Sequence, residues 1–124
     1  MSKLDKLRSA FRYAFHGIGQ AFRSELNLKI HAVISVCVII AGFVLHISMG
    51  EWIAIVLCIA LVIAAELINT AIEKLADIID LKPNKDIGLV KDMAAGAVLW
   101  CAIGAVCIGL LIFVPKILML FSVK

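Results

Sequence analysis

Hydrophobic and polar positions divide the chain into four blocks. In the first, from Leu4 to about Glu25, the large apolar residues are Leu4, Leu7, Phe11, Phe15, Ile18 and Phe22. Neighbours in that series lie three or four positions apart, the spacing of one face of an α-helix. Lys3, Lys6, Arg8, Arg12, His16 and Arg23 occupy the other faces. A basic amphipathic helix of this kind lies in a membrane interface with its apolar side down. The block carries charge throughout and has no long apolar run, so a secretory leader is not expected.

Three apolar stretches follow, and they predict membrane-spanning helices at about 30–49, 52–80 and 91–114. From Met93 to Val114 a helix rises about 33 Å, enough for a hydrocarbon core of about 30 Å. The second stretch is uninterrupted only from Trp52 through Ala65. It crosses the bilayer only if Glu66 and the residues after it lie at membrane depth. Backbone at that depth must satisfy its own hydrogen bonds, so all three stretches are expected as helices. The cluster Lys82-Pro83-Asn84-Lys85-Asp86 is expected to end the second helix, and Pro115 the third.

Composition points to the same solvent. Of 124 residues, 64% are hydrophobic and 17% charged, with a mean hydropathy of +1.10. A soluble domain is about 45–50% apolar. One this short buries only about two thirds of its surface and has nowhere to hide so much apolar material. Disorder, a coiled coil and a secreted disulfide scaffold are excluded. Cys37, Cys58, Cys101 and Cys107 sit inside apolar runs and read as buried free thiols.

The net charge of +3 is unevenly distributed. Lys3, Lys6, Arg8, Arg12, Arg23 and Lys29 precede the first span, and Lys74, Lys82, Lys85 and Lys91 surround the second connection. The His46–Glu51 loop has no basic residue, and only Lys116 and Lys124 follow the third span. Cytoplasmic loops carry the excess of Lys and Arg, so the N-terminal block and the Asp80–Lys91 loop are expected in the cytoplasm.

Candidate chemistry begins at Glu66. An ionisable side chain inside a membrane helix is costly and usually functional. Asn69, Thr70, Glu73, Asp77 and Asp80 follow it at helical spacing on one face. The stripe climbs from the bilayer to the cytoplasmic surface. Its acids repel one another and have too few basic residues at their depth, so a divalent cation is expected; hard oxygen ligands suit Mg²⁺ rather than zinc. A solvated helix end accounts for Asp80 and fits Asp77 as well as a role in the site does. Glu25 closes the surface helix at the same interface, with Asn27, Lys29 and His31 at alternate positions after it.

Lys91-Asp92 opens the third span, and the small residues Ala94-Ala95-Gly96-Ala97 come next. Ala97, Cys101, Ala105 and Gly109 recur every fourth position, which lets a helix or a ligand approach closely. A snorkelling interface lysine and a phosphate-binding lysine fit Lys91 equally well. No P-loop, no dinucleotide fingerprint and no zinc spacing is present.

Glu66-Leu67-Ile68-Asn69-Thr70-Ala71-Ile72-Glu73, followed by Asp77, resembles the signature of the prokaryotic diacylglycerol kinase family. So do Lys91-Asp92-Met93-Ala94-Ala95-Gly96-Ala97-Val98 and Glu25-x-Asn27-x-Lys29-x-His31. The last segment looks more like the undecaprenol kinase branch, although Leu26 stands where that branch commonly has Arg. The resemblance covers nearly the whole chain. It implies an all-α homotrimeric bundle in the bacterial cytoplasmic (inner) membrane, with sites formed between subunits.

It also implies roles. Glu66 matches the catalytic base and Asn69 a polar residue beside the reacting centre. Glu25 and Glu73 match the carboxylates that hold Mg²⁺ and, through it, the phosphates of ATP. Lys6, Tyr13, Lys91 and Asp92 match nucleotide contacts, Lys6 standing where the family has an Arg. Glu66, Asn27, His31 and Ala95 match contacts to the acceptor lipid. The expected function is ATP-Mg-dependent phosphorylation of a membrane lipid hydroxyl, undecaprenol or diacylglycerol. The alternatives are a cation channel or transporter subunit using the acid stripe, and a catalytically silent membrane assembly factor.

Overall fold

Three of the four described helices start at small polar side chains that satisfy otherwise orphaned backbone groups. The computed structural model describes residues 1–79 and 82–122, and its elements are four helices: α1 (Lys3–Ser24), α2 (Leu26–Val44), α3 (Met49–Ile79) and α4 (Lys85–Ser122). Asp80 and Lys124 lie outside the described residues. At the start of α1, Ser2 and Asp5 form a reciprocal capping box. The hydrogen bonds from Ser2 hold the Asp5 carboxyl below the usual carboxylate range. Glu25, at φ −108° and ψ 117°, is an extended corner between α1 and α2.

The turn from α2 to α3 has two devices. Ile47 N–H donates to Gly42 C=O at 3.2 Å, and His46 N–H donates to Phe43 C=O at 3.4 Å. This is a Schellman closure, and it places His46 at φ 51° in the left-handed region. It ends α2 at Val44, short of the expected 49. Ser48 and Glu51 then form a second capping box: Ser48 N–H donates to Glu51 Oε1 at 2.9 Å, and Glu51 N–H donates to Ser48 Oγ at 3.2 Å.

The fourth helix is longer than its pattern predicts. Asn84 Oδ1 accepts the N–H groups of Asp86 and Ile87 at 2.9 and 3.4 Å, so α4 starts at Lys85 rather than 91. The breaker cluster therefore opens this helix as well as following the previous one. Pro115 does not end it: α4 runs through to Ser122. Proline removes one backbone donor, and the helix resumes beyond it.

The third helix, α3, is the spine. Both α2 and α4 pack along it, α4 more extensively, and among the described residues the backbones of α2 and α4 stay apart. Lys91 Nζ meets Asp77 Oδ1 at 2.7 Å near one end of the α3–α4 pair, and Lys116 Nζ meets Glu51 Oε1 at 3.0 Å near the other. These two ion pairs mark one antiparallel register. Counting inward from each sets Glu66 abreast of Cys101 and Ala102. Ile47, Ile55 and Ile112 form a small core near the Glu51 end.

The helices α2, α3 and α4 are each long and apolar enough to cross a membrane. Most of their large apolar side chains face outward, among them Ile78, Trp100 and Leu111. Leu4, Leu7, Phe11 and Phe15 of α1 are exposed too. The expectation of buried thiols is corrected for Cys37 and Cys107, which are exposed on outer helix faces; Cys58 and Cys101 are half-buried.

Gly42 is set by contact. A Cβ there would lie 2.7 and 2.9 Å from the Trp52 indole and 3.1 Å from Ile47 Cδ1. The indole has little freedom to retreat, because it packs on Phe43 with ring centroids 4.8 Å apart. Gly42→Ala is expected to destabilise the hairpin by about 1–3 kcal/mol. A thermal melt in detergent checks this; an unchanged midpoint would mean that the indole moves aside.

Candidate active site

The buried face of α3 changes character along its length. Ile55 and Val62 are apolar; then come Glu66, Asn69 and Thr70, and further on Ala76. Glu66 is only 2% exposed, Asn69 5% and Thr70 3%. A carboxylate so placed is turned into the helix assembly and away from the surrounding lipid. Among the described residues neither ion pair involves Glu66: the paired lysines reach Asp77 and Glu51. Asn69 Oδ1 and Thr70 Oγ1 have no hydrogen-bond partner. Buried polar atoms are nearly always satisfied, and leaving one unpaired costs about 1–3 kcal/mol. Three adjoining polar groups with free bonding capacity describe a site shaped for something polar.

Glu73 continues the stripe and is half-buried, as is Glu25. Side-chain contacts join their neighbourhoods. Lys74 Nζ donates to Ser24 Oγ at 3.4 Å, and Ser24 Oγ donates to Glu25 Oε1 at 3.2 Å. The corner between α1 and α2 thus lies beside the turn of α3 that carries Glu73. Among the described residues no three His, Cys, Asp or Glu side chains converge as a closed metal cage. Two carboxylates fit magnesium nonetheless, because that ion usually takes one or two and completes its shell with water and phosphate oxygens.

The other predicted residues are more dispersed. Lys91 is bound to Asp77, so the exposed end of the stripe has a protein counter-charge, while among the described residues neither ion pair reaches Glu66 or Glu73. Both partners are well exposed, and such a pair is worth about 0–1 kcal/mol and exchanges readily. Asp92 and Ala95 are exposed on α4, and Asn27 on α2. Lys6 is exposed and Tyr13 is 66% exposed, its ring 5.5 Å from the guanidinium of neighbouring Arg12. His31 is half-buried; its carbonyl accepts Ser35 Oγ–H at 2.7 Å. The structure gathers Glu66, Asn69 and Glu73 on α3 with Glu25 nearby, and leaves Lys6, Tyr13, Asn27, Asp92 and Ala95 on outer surfaces. Spacing alone places Thr70 on the stripe but singles out neither Ser24 nor Lys74.

Thr70 is a direct test of this unsatisfied polarity. Thr70→Val removes an unpaired hydroxyl at nearly constant shape, so thermal stability should hold or rise by up to about 1 kcal/mol. A clear fall in the melting midpoint would show that the hydroxyl has a partner.

Comparison with known proteins places this geometry. Residues 12–113 match the family described as prokaryotic diacylglycerol kinase. The chain is 40% identical over 116 residues to the undecaprenol kinase of Bacillus subtilis, covering 94% of each chain. It is 38% identical over 112 residues to a diacylglycerol kinase of Synechocystis, covering 90% of this chain and 64% of that one. A diacylglycerol kinase of Haemophilus influenzae is 30% identical over 113 residues, covering 89% of this chain and 95% of that one. The match over most of the chain, together with the buried Glu66–Asn69 face, makes it a member of the prokaryotic diacylglycerol kinase family, on the undecaprenol kinase-like branch.

Proposed function

We propose that this membrane lipid kinase transfers the γ-phosphoryl group of ATP to the hydroxyl of undecaprenol or diacylglycerol. Phosphorylation of either would serve the recycling of phospholipids or of cell-envelope lipid carriers. The observation that carries the reading is the burial of Glu66 inside the helix assembly beside two unpaired polar atoms. Phosphoryl transfer asks a protein for positioning, charge neutralisation and a group that takes the nucleophile's proton. A lipid hydroxyl stays near the interface while ATP stays in water. The stripe from Glu66 to Asp77 runs along one helix between those two depths.

In this reading Glu66 accepts the proton of the lipid hydroxyl. The oxygen attacks the γ-phosphorus, the bond from that phosphorus to the β–γ bridging oxygen breaks, and ADP leaves. The products are the lipid phosphate, ADP and one proton. The Asn69 amide orients the hydroxyl, and Asn27, His31 and Ala95 border the acceptor. Glu25 and Glu73 would hold Mg²⁺, which would supply charge neutralisation at the phosphates. Lys91 exchanges Asp77 for the nucleotide, with Asp92 beside it, and Lys6 and Tyr13 approach the nucleotide from α1.

The remaining parts of the reading concern assembly. Three spans are too few to enclose ATP, a metal ion and a lipid, which supports an oligomer; we propose a homotrimer. The basic residues of the N-terminal block and the second connection support a cytoplasmic N-terminus in the bacterial inner membrane. The exposed Leu4, Leu7, Phe11 and Phe15 support α1 as a surface helix lying on that membrane.

Glu66→Gln keeps size and polarity and loses basicity. Turnover should fall by about 10²–10⁴-fold while Mg-ATP binding survives, as read by phosphate transfer to lipid and nucleotide titration side by side. Near-normal turnover refutes the role. Glu25→Gln and Glu73→Gln should each weaken ATP binding about tenfold in magnesium and much less in EDTA. Unchanged affinity in magnesium for both variants removes them as ligands.

A further inference from the structure

Glu25 stands where an acidic or hydroxyl side chain ordinarily caps a helix, and its carboxylate is not used that way. It is the N-cap residue of α2, yet its side chain accepts no backbone N–H of that helix. Among the described residues the hydrogen bond that reaches its carboxylate comes from Ser24 Oγ, at 3.2 Å to Oε1. Ser24 Oγ in turn accepts from Lys74 Nζ at 3.4 Å, 50 positions away along the chain. Lys74 follows Glu73 on α3, so these contacts tie the corner that carries Glu25 to the turn that carries Glu73. The Ser24 hydroxyl has one proton and two acceptors within reach. Ala21 C=O lies 3.5 Å away, the local bond that serine makes at a helix end, and Glu25 Oε1 is nearer. An ammonium on the hydroxyl's lone pair polarises its O–H and favours donation to a charged acceptor over a neutral carbonyl. Lys74 therefore decides which way the Ser24 proton points. With Lys74 in place the hydroxyl holds Glu25 Oε1. Without it the hydroxyl folds back on Ala21, and the carboxylate loses that fixed point.

We infer that Lys74 is a positioning residue: through Ser24 it aims the Glu25 carboxylate so that Glu25 and Glu73 meet one divalent cation. The inference rests on the proposed metal role of those two acids and adds to it a residue that touches neither metal nor nucleotide. Magnesium demands near-ideal octahedral geometry, so a ligand that wanders costs affinity. Hydrogen-bond partners behind a metal ligand are worth about 10–100-fold in metal affinity. Ser24 and Lys74 are exposed and their contacts are long, so about fivefold is expected here. The sign separates this role from plain electrostatics. A lysine near a cation site repels the cation, so removing its charge alone should tighten metal binding. Removing a lysine that positions a ligand should loosen it.

The test follows binding of β,γ-methylene-ATP, whose γ-phosphoryl group cannot be transferred, to the whole protein in detergent. Each variant is titrated once in magnesium and once in EDTA, so turnover does not enter. The ratio of the two dissociation constants measures what the metal adds. Lys74→Met keeps an apolar stem and loses the ammonium; Ser24→Ala loses the hydroxyl. Each should cut the metal's gain about fivefold, with affinity in EDTA within about twofold of the parent. Lys74→Arg should restore the gain. The double variant should lose no more than either single one, because both break the same chain of contacts. In a Glu25→Gln background, Lys74→Met should change nothing further. Both sites are exposed, and Ser24→Ala tests the chain of contacts by itself if Lys74→Met does not fold. An unchanged or larger gain in the single variants, additive losses in the double, or a further loss in the Glu25→Gln background overturns the inference and leaves Glu25 standing as a ligand. A Glu25→Gln variant that binds in magnesium as the parent does removes the metal role itself, and the inference with it.

Discussion

The cost of holding Glu66 out of water governs the rest of this structure. A carboxylate at membrane depth is tolerated only where it faces protein or an aqueous cavity. The buried face of α3 meets that demand by turning Glu66, Asn69 and Thr70 inward together. The arrangement requires α3 and α4 to keep one relative height, since a slip of a single turn would carry the carboxylate about 5 Å along the axis. The Lys91–Asp77 and Lys116–Glu51 pairs sit toward opposite ends of that helix pair. Each is weak alone. Together they disfavour sliding in either direction, because any slip breaks both at once.

The packing around this centre is thin for a helical protein. Among described residues, α4 buries only Ile112 and α2 only Leu28 and Gly42. In water so much outward apolar surface would drive aggregation. In a bilayer it costs nothing, because lipid tails are as apolar as the side chains they touch. Stability must then come from close fits and from hydrogen bonds. The Gly42–Trp52 contact, the Schellman closure at Ile47 and the Ser48–Glu51 box supply both at one turn. Contact between copies of the chain would add what one copy lacks.

Much of this was legible in the residues, for a physical reason. Hydrophobic runs and the three-or-four spacing are local, so the existence of four helices and the shared face of Glu66, Asn69 and Glu73 follow from chain order alone. Helix ends were less legible, because Asn84 capping and the left-handed His46 are choices among competing local hydrogen bonds. Pro115 marked a stop that the helix runs through. Contacts between helices were not legible. Nothing in spacing pairs Lys91 with Asp77, or Lys74 with Ser24, because helix height and rotation decide both. The small-residue stripe on α4 pointed toward close approach without saying of what. In the fold, Ala105 and Gly109 border open space instead of another helix.

The separation of the α2 and α4 backbones has a consequence for traffic. Both helices lean on α3, so in a single copy of the chain the trough above it opens sideways between them. A molecule with a very long tail would not have to thread an end through a hole. It would roll in broadside from the surrounding leaflet, and its product would leave by the same flank with the remainder of the tail never out of the oil.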